Sequence, residues 1–127
     1  MSPATSQVGL TQALGLTADM RLPIVLDEHG DISLFRSVEA AARYVEPIDV
    51  RNGEYVAYDS SGFLLKLVPT EPVVSISGYL SDQPHQDQLE QSLRSFVERF
   101  SSDPVPAEVT SLEGLLALCV RQFGYTG

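Results

Sequence analysis

Residues 52–68, NGEYVAYDSSGFLLKLV, decide the fold. Asn52-Gly53 is a turn pair, and residues 54–58 carry the aromatic and β-branched side chains that suit a pleated, half-buried surface. Asp59-Ser60-Ser61-Gly62 then reverses the chain into residues 63–68, with Gly62 free to take the positive φ that such a turn asks for. On the returning strand Phe63, Leu65 and Leu67 share one face, while Leu64, Lys66 and Val68 share the other. Two strands joined this closely predict a hairpin within an antiparallel sheet.

Upstream, Leu22, Ile24 and Leu26 alternate with Pro23, Val25 and Asp27, a strand period. Pro23 has no donor, which places it at the strand's start or on an edge. Asp27-Glu28-His29-Gly30-Asp31 is a turn, and residues 32–35 resume the pattern, completing a first hairpin. Ser37 is an N-cap, Val38, Ala41, Ala42 and Val45 follow at helical spacing, and Pro47 ends that helix.

Downstream, residues 69–72 break the returning strand with two prolines. Val74, Ile76 and Leu80 mark one face of a fifth strand, with Gly78 as a bulge or close-packing point. Leu89, Leu93, Phe96, Val97 and Phe100 form a helical stripe, capped by Asp82 or Ser81 with Pro84 near the first turn. Residues 101–106 are a proline-stiffened connector. Thr110 or Ser111 caps a last helix with the stripe Leu112, Leu115, Leu116, Cys119 and Phe123, and Gly124 stops it.

The order is β-β-α-β-β-β-α-α, without a repeat and without parallel βαβ alternation. It predicts an α+β domain over residues 20–127, with a mostly antiparallel sheet of about five strands and helices packed on one face. Residues 1–19 are small and polar with glycine and proline breaks, and Leu10 and Leu14 share at most a helix of about two turns between Gly9 and Gly15. They read as a loosely structured leader.

The charge is lopsided: 17 acidic residues face 8 Lys plus Arg, for a net charge of −9. Phosphates would be repelled, so neither nucleic acid nor an anionic membrane is expected as a partner, although a carboxylate-studded mimic of nucleic acid stays open. No basic, apolar leader marks the chain for secretion, no apolar run approaches ~20 residues, and the lone Cys119 has no mate for a disulfide. The expectation is a cytoplasmic protein.

Catalytic raw material is scarce. Cys119 lies on the apolar stripe between Leu115 and Phe123 and reads as a core thiol, while His29 in a turn and His85 at a helix start read as solvated. Glycosidase-like work needs two carboxylates at fixed separation in a cleft, and nothing in the spacing of Glu46, Asp49, Glu54 and Asp59 sets one. Residues 27–31 lack the alternating oxygen ligands and terminal glutamate of a calcium loop, and no glycine-rich phosphate loop is present. The reading is therefore no enzyme, no cofactor and no metal.

What remains is a carboxylate-rich surface interleaved with tyrosine, suited to Lys and Arg on a basic protein partner. The candidate partner-binding residues are Glu46, Asp49, Glu54, Tyr55, Tyr58 and Asp59 around the second hairpin. The run SVEAA at 37–41, the run YVEPIDV at 44–50, Gly53-Glu54-Tyr55 and Tyr58-Asp59-Ser60-Ser61-Gly62 resemble small bacterial proteins akin to the immunity proteins of polymorphic-toxin systems. The resemblance covers residues 22–68 and carries no catalytic motif. It implies a small acidic cytoplasmic inhibitor that blocks a toxin by covering its active site. A homo-oligomeric accessory domain is the alternative expectation, and a small hydrolase a further one.

Overall fold

The computed structural model describes residues 20–80 and 82–126. The expected leader, residues 1–19, lies outside the described residues, as does Ser81. The fold is α+β and its strand pairings are antiparallel. In chain order the elements are β1 (Ile24–Glu28), β2 (Asp31–Phe35), α1 (Val38–Tyr44), α2 (Pro47–Arg51), β3 (Val56–Tyr58), β4 (Leu65–Pro69), β5 (Val74–Tyr79), α3 (Gln86–Phe100) and α4 (Leu112–Phe123).

The strands form two sheets rather than one. A three-stranded sheet runs β2-β1-β3, and a separate ribbon pairs β4 with β5. The expected second hairpin opens at its turn. Tyr58 and Leu64 make a single bridge, after which β3 stays on β1 (Leu26 opposite Ala57) and β4 leaves to pair with β5. The cause is visible in β1, where Ile24, Val25 and Leu26 are all buried. A strand apolar on both sides needs cover on both sides.

Val25, Ile32, Leu34 and Tyr58 point to one core, filled by Leu89, Leu93, Phe96 and Val97 of α3 and by the α4 stripe. Ile24, Leu26, Phe35 and Ala57 point to the other, closed by Ala41 and Val45 of the α1 segment and by Leu65, Val74 and Ile76 of the ribbon. Helices thus lie on both faces of the larger sheet, not on one. The alternation of Leu22, Ile24 and Leu26 hides this, because Val25 between them is as apolar as they are.

Local chemistry accounts for the ends of the elements. Ser37 and Ser111 cap α1 and α4, each accepting a bond from the backbone N–H three residues on, at 3.0 Å. Pro47 ends α1 and, as the first residue of α2, begins a short helix absent from the sequence reading. The start of α3 is not capped by Asp82. Its N-cap is His85, whose backbone N–H donates to the Gly62 carbonyl at 2.7 Å and so pins the helix to the 59–62 turn.

In the ribbon, Leu65 faces Tyr79 and Leu67 faces Ile76, so Ser77 and Gly78 together oppose Lys66 as the expected bulge. Leu80 falls past the strand's end and is 62% exposed rather than inward. Phe100 and Phe123, also expected in the stripes, sit at the rim against Phe96, with centroids 5.0 and 4.7 Å away. After α4 the chain returns to β2, where the Thr126 N–H donates to the Leu34 carbonyl at 2.7 Å. Among the described residues no helix is long and apolar enough to cross a membrane.

Candidate functional site

The β1–β2 hairpin closes through His29 (φ 54°) and Gly30 (φ 95°), the two positive-φ residues of a tight loop matched to strand twist. Asp27 braces it, its Oδ1 accepting the Gly30 N–H at 2.7 Å. The loop carries His29 to Glu54, where Nε2 meets Oε1 at 2.5 Å. His29 is exposed, as its turn position suggests, but it is paired rather than merely solvated. The hydrogen bond to Glu54 and that residue's charge raise the imidazole pKa, with smaller contributions from Glu28 and Asp27 that burial opposes.

The second contribution comes from α2. This helix holds Asp49 beneath Tyr55, whose hydroxyl donates to Asp49 Oδ2 at 3.3 Å. The Glu54 N–H donates to the Asp49 carbonyl at 3.0 Å and fixes the loop into β3. Partial burial, followed by the fields of Glu28 and Asp49, pushes the Tyr55 phenol up to about 12, while a bond to the Glu46 backbone opposes the rise. Glu46, Asp49, Glu54 and Tyr55 are therefore neighbours, as the sequence suggests. Glu28 and Asp27 of the first hairpin join them, although the sequence reading does not place them there. The available signal was the tight 27–31 turn, which projects its acids from the sheet's end.

Tyr58 and Asp59 do not belong to this surface; each is only 1% exposed. Tyr58 faces the α3–α4 core, where Gln88 Nε2 donates to its hydroxyl at 2.7 Å and burial raises its pKa. Asp59 organises its own turn. Its Oδ1 accepts the N–H groups of Ser61 (3.0 Å) and Phe63 (3.1 Å), and its Oδ2 accepts that of Arg21 (3.4 Å). An aspartate opening an Asp-Ser-Ser-Gly turn is suited to bond backbone two residues on, and that chemistry takes it from the surface.

Where β3 and β4 diverge, a cleft of about 460 Å³ opens beside Tyr55. Its walls include Val56, Leu64, Leu67 and Leu80, so the acidic patch borders an apolar one. Anionic oxygens, a tyrosine and aliphatic surface together suit a partner presenting Lys or Arg among apolar side chains. Cys119 is fully buried, and burial pushes its thiol up to about 11, the reverse of what a nucleophile needs. Among the described residues no group of three His, Cys, Asp or Glu side chains is arranged to hold a metal ion. No family model, no curated protein and no solved structure matches this chain.

Proposed function

We propose that the protein is a non-enzymatic, protein-binding domain, and specifically an immunity-type inhibitor that occludes a basic bacterial toxin in the cytoplasm. The observation that carries the reading is the convergence of Glu28, Asp49 and Glu54, from three chain segments, around Tyr55 and His29. A predominantly acidic patch on a chain of net charge −9 accelerates encounter with a cationic surface, which suits an inhibitor that must act before its target does. Tyrosine beside an apolar cleft supplies rigid contact area for the docked state.

The test is a pull-down from the native host followed by association kinetics at low and physiological salt. A basic partner is expected, whose association slows as salt rises. The double variant Asp49→Lys with Glu54→Lys is expected to slow association further while leaving the fold in place. A salt-independent association or an acidic partner overturns the proposal, and recovery of only the protein itself favours a homo-oligomeric accessory role.

A further inference from the structure

A second surface carries the opposite sign. A groove of about 870 Å³ runs along α4, where Leu116, Val120 and Arg121 line it together with Arg21, Leu22 and Tyr125. It shares no residue with the acidic patch. Both ends are built rather than incidental. Arg21 is planted on the Asp59 turn, its N–H donating to Asp59 Oδ2 at 3.4 Å and its carbonyl accepting the Ser60 N–H at 2.8 Å. Tyr125 is held by the neighbouring Thr126 bond to β2 and by the Arg36 guanidinium, 4.7 Å from its ring centroid.

The distribution of charge makes the groove unusual. The chain has 8 Lys plus Arg, and three of them, Arg21, Arg36 and Arg121, gather in or beside this one groove. Among the described residues none of the three has an ion-pair partner, a state shared with Arg43, Lys66, Arg94 and Arg99 but not with Arg51, which pairs with Glu71. Glu113 is the sole acid in the lining, and it stands two turns from Arg121, roughly 12 Å along the helix. The Arg121–Tyr125 end is therefore cationic, on a molecule that otherwise repels anions. Arginine's planar fork is made for a carboxylate.

We propose that this groove binds an acidic, leucine-bearing peptide segment of a partner protein, with carboxylates on Arg21 and Arg121 and aliphatic side chains on Leu22, Ala117 and Val120. The α4 residues that line it span roughly 14 Å, room for four or five extended residues, and the groove lies open along that length rather than enclosing a small ligand. A net charge of −9 disfavours an anionic lipid surface as the source of the anion. The domain then bridges two partners of opposite charge, and the groove does not depend on the acidic patch being a toxin-binding face.

The probe is a fluorescein-labelled peptide of about seven residues alternating Leu with Glu, titrated with the full-length protein and followed by anisotropy; a Leu/Lys peptide is the control. Saturable binding of the Leu/Glu peptide is expected, with no comparable binding of the control. Arg21→Glu combined with Arg121→Glu should weaken it about tenfold or more, with an unchanged far-UV spectrum. Ala117→Trp, an exposed α4 position in the lining, should weaken it by filling the groove while leaving every charge in place. Absence of saturable binding, equal binding of the Leu/Lys peptide, or binding indifferent to the double reversal overturns the proposal.

Discussion

Asp59 and Arg21 are 38 residues apart and hold each other at the main chain: the Arg21 N–H donates to Asp59 Oδ2, and the Arg21 carbonyl accepts the N–H of Ser60 at 2.8 Å. The chain's entry into β1 is thereby fastened to the turn after β3, with a buried carboxylate as the fastener.

Asp59→Ala is therefore expected to be among the most damaging single substitutions. It strands the N–H groups of Ser61, Phe63 and Arg21, at a cost of about 3 kcal/mol. Asp59→Asn keeps an oxygen for Ser61 and Phe63 and forfeits only the long bond to Arg21, so it should cost clearly less. Urea midpoints of the two variants, which should separate with Ala the lower, measure this.

Gly62 is expected to be intolerant for two reasons at once. Its φ is +94°, and a Cβ there would stand 3.0 Å from the Gln86 backbone nitrogen at the start of α3. Gly53 has a similar φ of +69° but open space around it. Gly53→Ala should cost about 1 kcal/mol from conformation alone, and Gly62→Ala about 2–3 kcal/mol because α3 must also shift. Thermal unfolding of both variants measures the difference.

The Cys119 thiol is expected to be silent in the native state. With its pKa near 11, about one molecule in a thousand carries the thiolate at pH 8, and the side chain is fully buried. Thiol reagents should label the protein at the rate of its unfolding and rapidly only in denaturant. Cys119→Ser should destabilise by about 1–3 kcal/mol, since a hydroxyl replaces sulfur among Leu side chains.

His29 is expected to titrate above its ordinary 6.5, and Glu54→Gln should bring it back towards that value. A pKa raised in the folded state means that the pair stabilises the fold fully below the unfolded value and that this contribution fades as pH rises through the folded one. Histidine NMR titration of both proteins, with denaturation midpoints on either side of neutrality, reads out both effects. The midpoint change should be small, because the pair faces solvent.

Much of this is legible in the sequence. Ser37, Ser111 and the stripes Leu89–Leu93–Phe96–Val97 and Leu112–Leu115–Leu116–Cys119 follow from local rules, because capping and helical period are decided within a turn or two of chain. The split between the sheets is not local. It depends on which residues cover Ile24, Leu26 and Ala57, and nothing in residues 63–68 states that Leu65 leaves Tyr58's sheet to do so. The site divides the same way. Asp49, Glu54 and Tyr55 meet because they are close in sequence, whereas Glu28 and His29 arrive through the β1–β2 register, and Asp59 is withdrawn by its own turn.

The burial of β1 on both sides has a consequence for how the protein opens. Val25 belongs to one core while Ile24 and Leu26 belong to the other, so neither core can melt without exposing part of the same strand. The amides of β1 should exchange with solvent only through global unfolding, and both cores should be lost in one cooperative step. The β4–β5 ribbon supplies Leu65, Val74 and Ile76 to the second core and packs against α1, α2 and β3. It cannot lift without uncovering Ile24 and Leu26, so its inward-facing residues should meet solvent in that same cooperative step.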